Sequence, residues 1–146
     1  MRIVECVPNF SEGRDRRVID EIAREISSTA GVRLLDVDPG PDANRTVVTF
    51  AGEAEAVGDA AFRAVRKAAE LIDMRRHRGT HPRMGATDVC PFVPVSGIGM
   101  DGCVALSKAV ARRVGEELGI PVFLYEMSAS ADHRRSLADI RRGEYE

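Results

Sequence analysis

An α+β fold built on a split βαβ order is what these 146 residues predict, and three observations carry it. Short apolar, β-branched runs alternate with helical stripes in the order βαββαβ. The densest turn chemistry in the chain, Pro39-Gly40-Pro41-Asp42-Ala43-Asn44, separates two strand-like runs and makes them neighbours. Neither G-x-G-x-x-G nor a Walker A loop follows the first run, which disfavours the runner-up, a doubly wound parallel sheet. A further helix and strand extend the order, so the expected molecule is a mainly antiparallel sheet with helices packed on one face. With 44% apolar residues and 30% charged, a chain of this length buries roughly 70% of its unfolded surface, enough for one core and not two. Residues 1–146 are therefore expected to form a single folding unit.

Arg2 to Pro8 places Ile3, Val4, Cys6 and Val7 in a short apolar run closed by Pro8 and Asn9, which reads as a first strand. A loop, Asn9 to Gly13, precedes a helix that Asp15 can cap. Its Val18, Ile19, Ile22, Ala23 and Ile26 recur at helical spacing, and Gly31 stands where a left-handed terminator belongs. Val32 to Asp38 and Thr46 to Phe50 are strands on either side of the Pro-Gly-Pro turn. From Glu53 to about Asp73, the positions Val57, Ala61, Ala64, Val65, Ala68 and Ile72 form one stripe of a long Ala-rich helix. Periodicity stops between Met74 and Thr87. Val89 to Val95 then resumes as a strand in which Pro91 and Pro94 require an edge or a bulge. Asp101 can cap a third helix carrying Leu106, Val110, Val114 and Leu118, with Gly119 closing it. Ile120 to Tyr125 reads as a last strand, and a short helix around Leu137 to Arg141 follows in a polar tail.

Several function classes fall away on charge and hydropathy. Lys and Arg number 21 against 23 Asp and Glu, a net charge of −2, so the basic excess of a nucleic-acid binder is absent. No apolar stretch approaches the roughly 20 residues that cross a bilayer, and Glu5 interrupts the only apolar run near the start, which argues against a signal peptide. The three cysteines, Cys6, Cys90 and Cys103, are odd in number and lack C-x-x-C spacing. Neither a disulfide framework nor a zinc site is indicated, all three are expected to be buried and inert, and cytoplasmic residence is expected.

Chemistry-bearing residues concentrate in the aperiodic stretch Asp73-Met-Arg-Arg-His-Arg-Gly-Thr-His-Pro-Arg-Met-Gly-Ala-Thr-Asp88, between a helix and a strand. His77 and His81 stand four apart, but Gly79 and Pro82 break the helix that would present both to one metal, so no metal site is expected. Pro82 biases His81 toward extended backbone, which suits an imidazole that exchanges protons near its ordinary pKa of ~6.5. The competing reading is a loop histidine bonded to a carbonyl. Arg83, beside it, is the better carboxylate ligand, whereas Arg75 and Arg76 fit a solvated helix end. Asn9 and Ser11 lie before a helix start, where anions are attracted. Ser11 lacks the G-x-S-x-G elbow of a nucleophile and is more simply a turn or cap. Asp38 could orient a histidine, and Asn44 is an ordinary turn former.

Four blocks together, Glu5-Cys-Val-Pro-Asn-Phe-Ser-Glu-Gly13, Asp36-Val-Asp-Pro-Gly-Pro-Asp-Ala-Asn-Arg-Thr46, His77 to Val95 and Arg142-Gly-Glu-Tyr-Glu146, resemble the amino-terminal half of the glutamate formimidoyltransferase family over essentially the whole chain. The resemblance implies a ferredoxin-like sheet and transfer of the formimino group of N-formimino-L-glutamate to N5 of tetrahydrofolate, in histidine degradation. The family's catalytic histidine falls on His81, which would act as general acid/base. Arg83 and Arg45 are expected to meet the carboxylates of glutamate and folate, with Asn9, Ser11, Asp38 and Asn44 as further binding candidates. No metal is implied. The family continues into a second lobe, supplied in cis or in trans, and tends to form dimers. The alternative is a non-catalytic lobe that binds folate or another anion, or that dimerises.

Overall fold

The first apolar run folds as a strand, but in two pieces. A computed structural model describes residues 1–72 and 86–120, and its first elements are β1 (Ile3–Cys6) and β2 (Asn9–Phe10). Both pair antiparallel with β4 (Arg45–Glu53), from Ile3 opposite Glu53 to Cys6 opposite Phe50, then Asn9 opposite Val47 and Phe10 opposite Thr46. The register is the same on both sides of Val7 and Pro8, so β1 and β2 are one interrupted lane. The expected loop from Asn9 to Gly13 therefore begins two residues later than the sequence indicates, because Asn9 and Phe10 still find ladder partners.

The Pro-rich run behaves likewise. It divides into β5 (Thr87–Val89) and β6 (Phe92–Ser96), which pair with β2 and β1 respectively. Pro91 falls in the gap and Pro94 on the sheet edge, the places where a missing N–H costs no ladder bond. On the far side β3 (Val32–Gly40) pairs with β4, antiparallel like every other ladder. The lanes thus run β3, β4, β1 with β2, and β6 with β5. Along the chain the two halves interleave, as a split βαβ order requires.

Alternation puts Val4, Cys6 and Phe10 of one lane and Thr46, Val48 and Phe50 of the next on the buried face. Two helices cover that face. The first, α1 (Arg16–Ser27), is capped by Asp15, whose carboxylate accepts from Arg17 N at 3.1 Å, and it buries Val18, Ile19, Ile22 and Ile26. Each such side chain contributes about 1.5–3 kcal/mol when fully buried. The helix ends on Ser28 in right-handed geometry; Gly31, at φ +84°, serves the turn into β3 rather than the helix terminus. The second, α2 (Ala54–Leu71), starts at Glu53 and presents Ala54, Ala60, Ala61, Ala64 and Ala68 inward. These small residues let it lie close to the sheet.

The expected third helix is α3 (Met100–Leu118), which packs on α2 and β6. Asp101 does not cap it: Gly99 holds the cap position without a side-chain bond, and Asp101 sits in the first turn, where its carboxylate still favours the helix dipole. Gly119, at φ +68°, closes it in left-handed geometry, as the sequence predicts. The expected strand from Ile120 to Tyr125 and the short helix near Leu137 fall in residues 121–146, outside the described residues. No described helix is long and apolar enough to cross a membrane.

Candidate functional site

The helices leave the other face of the sheet uncovered among the described residues. Along β4 that face carries Arg45, Val47, Thr49 and Ala51, all partly exposed between buried neighbours. Cross-strand partners share a face. One row therefore reads Arg33, Ala51, Glu5 and Val93, and a second reads Asp38, Val47, Asn9 and Val89.

A β-bulge decides the second row. On β3, Leu34 opposes Phe50 on the buried face, and strict alternation would return Asp36 and Asp38 to that face. Instead the register shifts at Leu35, so that Asp36 opposes Thr49 and Asp38 opposes Val47. One extra residue turns both carboxylates to the open side. Leu35 itself is left about half exposed, at 51%.

Three of the sequence-predicted site residues, Asn9, Arg45 and Asp38, thus share one end of the open face. The Asn9 side-chain oxygen accepts from Arg45 Nε at 3.0 Å and Nη2 at 2.7 Å. Asp38 lies on the same row as Asn9, across Val47. Asn9 is only 7% exposed, so its amide is fixed and the guanidinium it receives is held in one orientation. A planar cation fixed in one orientation suits recognition of carboxylate-bearing molecules.

Ser11 and Asn44 belong to the support of this end. Ser11 is buried and its backbone N–H donates to Ala86 O at 2.8 Å. Asn44, at φ +52° in the turn between β3 and β4, accepts from Gly13 N at 2.9 Å. Around them lie residues that sequence reasoning did not single out. Thr46 Oγ1 donates to Glu12 O, the Glu12 carboxylate accepts from Arg14 N and Asp15 N at 3.0 and 2.9 Å, and Arg14 Nε donates to Pro41 O at 2.8 Å. Gly13 permits this close seating: a Cβ there would stand 2.5 Å from Arg45 N and closer still to Gly40 O. The only signal in the sequence was a glycine in a polar loop before a helix, which by itself states no partner.

The flanks of the chemistry-rich stretch are tied in at α2, which packs on β5, and at Ala86, which Ser11 holds. Leu71 and Ile72 at the end of α2, and Ala86 before β5, join Phe10 in one core. His77, His81 and Arg83 lie in residues 73–85, outside the described residues. Among the described residues no group of His, Cys, Asp and Glu is placed to hold a metal ion. Thr87 Oγ1, at the start of β5, is the one buried side-chain oxygen or nitrogen there without a hydrogen-bond partner. Cys6 and Cys103 are buried as expected, but Cys90 is partly exposed and its Sγ stands 3.6 Å from that of Cys6. Its place in the gap between β5 and β6, rather than inside a continuous strand, leaves it open. Burial, and then the contact with Cys90, pushes the Cys6 thiol well above the usual range.

Residues 3–146 match the family described as formiminotransferase domain, N-terminal subdomain. The formimidoyltransferase-cyclodeaminase of Rattus norvegicus is 57% identical over 99% of this chain and 27% of its own length. The glutamate formimidoyltransferases of Streptococcus pyogenes serotype M1 and Thermoplasma acidophilum are 51% and 50% identical over 99% and 100% of this chain, and 48% of each relative. The chain therefore spans about half the length of the latter two relatives and about a quarter of the first. Matched over residues 3–146 by the family and at half identity or better by these relatives, the chain belongs to the formiminotransferase family and corresponds to its N-terminal subdomain.

Proposed function

We propose that this chain is the catalytic lobe of a glutamate formimidoyltransferase, moving the formimino group of N-formimino-L-glutamate to N5 of tetrahydrofolate, with a second lobe closing the cleft. The observation that carries the proposal is that Asn9, Arg45 and Asp38 share one end of the open face, the end at which Ser11 holds Ala86. The lane order, 2-3-1-4 in chain sequence, supports a ferredoxin-like sheet with α3 appended. His81 precedes Ala86 by five residues, and Ala86 is held on Ser11. Fully extended chain covers that interval in no more than ~18 Å, so the imidazole is tethered to this end.

His81 acts as general acid/base. It takes the proton from N5 as that nitrogen bonds to the formimino carbon, and it returns the proton to the glutamate nitrogen as the carbon–nitrogen bond to glutamate breaks. Proton transfer and placement supply the catalysis, and the step needs no covalent enzyme intermediate. Arg45, oriented by Asn9, receives a substrate carboxylate together with Arg83. Asp38 orients His81, while Ser11 and Asn44 keep the loop and turn in place. The proposed enzyme acts in the cytoplasm, and its second lobe is supplied in cis or in trans, with a homodimer as a further assembly.

Arg45→Ala, measured in protein that contains both lobes, is expected to raise KM for N-formimino-L-glutamate or the folate about 10- to 100-fold, the loss of a charge-assisted pair. Unchanged KM for both substrates would remove Arg45 from the site. If the assembled lobes bind tetrahydrofolate without any turnover, the chain is instead a non-catalytic binding lobe.

A further inference from the structure

We infer that Cys6 and Cys90 form a thiol modification site, oxidised to an intramolecular disulfide by small-molecule disulfides such as oxidised glutathione. The two sulfurs already touch at 3.6 Å, and closure to a bond of ~2.05 Å asks for an approach of about 1.5 Å. Topology explains why they meet. Cys6 opposes Phe92 and Asn9 opposes Val89 in one unbroken register, which puts Cys90 opposite Pro8 and diagonal to Cys6 on the helix-facing side.

The place can also yield. Both lanes are interrupted at this level, Val7 and Pro8 on one and Cys90 and Pro91 on the other, where Val7 N to Pro91 O, at 3.3 Å, is the described backbone bond between them. A segment with little ladder bonding absorbs a small approach that a continuous pair of strands would resist. Access differs between the partners: Cys90 is partly exposed and Cys6 is fully buried. Attack therefore starts at Cys90. Its thiolate bonds to one sulfur of oxidised glutathione and expels the other half as a glutathione thiolate, which takes up a proton. Cys6 then gives up its proton and bonds to the Cys90 sulfur, breaking the mixed disulfide and releasing the second glutathione. Two protein thiols are oxidised and one glutathione disulfide is reduced to two thiols. The burial that holds the Cys6 thiol protonated makes this second step the slow one.

The test is exposure of the full-length native protein to a graded ratio of oxidised to reduced glutathione, then acid quenching, thiol counting under denaturing conditions and peptide mapping by mass spectrometry. The expected result is loss of two of the three cysteine thiols of residues 1–146, read position by position in the peptide map, a peptide pair linked through Cys6 and Cys90 within one chain, and full recovery on reduction. Cys103→Ser should still form the link. Cys90→Ser, which changes a partly exposed position and leaves the buried one intact, should keep both remaining thiols. Retention of all three thiols, a link through Cys103 or between chains, or oxidation that stops at a glutathione adduct on Cys90 overturns the inference.

Discussion

Gly13 shows how a single missing side chain positions the candidate site. Its backbone N–H is held by Asn44, and the space a Cβ would need is occupied by backbone of Gly40 and Arg45. Gly13→Ala is expected to cost about 3 kcal/mol or more in urea unfolding, since neither neighbour is a flexible side chain that can move aside. Thr87 is the opposite case. Its hydroxyl is buried without a partner among the described residues, so Thr87→Val should leave stability unchanged or raise it by up to about 1 kcal/mol. A loss larger than that would mean the hydroxyl has a partner. Cys6 carries a pH dependence. Its thiol stays protonated in the fold beyond the ordinary range, so above that range the unfolded chain binds fewer protons than the folded one. Stability then falls with rising pH, by up to about 1.4 kcal/mol per unit, until the raised value is passed. Unfolding followed from pH 8 to 11 should show that decline, and Cys6→Ala should make it shallower. At this scale the sequence named the polar residues and read Asn44 as the turn former it is, but it did not show that Asn9, Asp38 and Arg45 share a face. That depends on which neighbour each meets across the sheet.

The helices were legible as elements because their signals are local. The stripe and the Asp15 cap of α1, the Ala-rich stripe of α2 and the terminating Gly119 of α3 all stand where spacing and capping chemistry put them. Gly119→Ala should cost about 1 kcal/mol in thermal or urea unfolding, because the space around it is open and only its left-handed backbone is strained. The strands were legible as existing but not in their detail. Pro8 in the first lane and Pro91 in the last are visible, yet the matching interruptions of both lanes arise only when the lanes lie side by side. The bulge at Leu35 left no mark in Val32-Arg-Leu-Leu-Asp-Val-Asp38, since either parity buries apolar residues. It is nevertheless what brings Asp38 to the face that carries Asn9 and Arg45. Deleting Leu35 would remove the bulge and make the ladder regular, with Asp36 still opposite Thr49 and Asp38 opposite Val47, so both carboxylates are expected to stay on the open side.

At the scale of the molecule, the described helices cover one face of the sheet and leave the other uncovered among the described residues. The uncovered face mixes Val47, Val93 and Val95 with Arg33, Glu5, Asp36 and Asp38, and Val95 is 58% exposed. Such a face suits one wall of a cleft that receives charged substrates, and the chain is about half as long as the glutamate formimidoyltransferases it matches. The split βαβ order was readable from element order and turn chemistry alone. The family came from four motif blocks, and the open face came from neither. The most direct measurement is single-turnover formimino transfer to tetrahydrofolate by protein containing both lobes, with and without His81→Ala. Removal of the imidazole is predicted to slow the chemical step about 100- to 10,000-fold, with folding and substrate binding retained. Unaltered transfer by a folded His81→Ala protein would show that another group moves the proton.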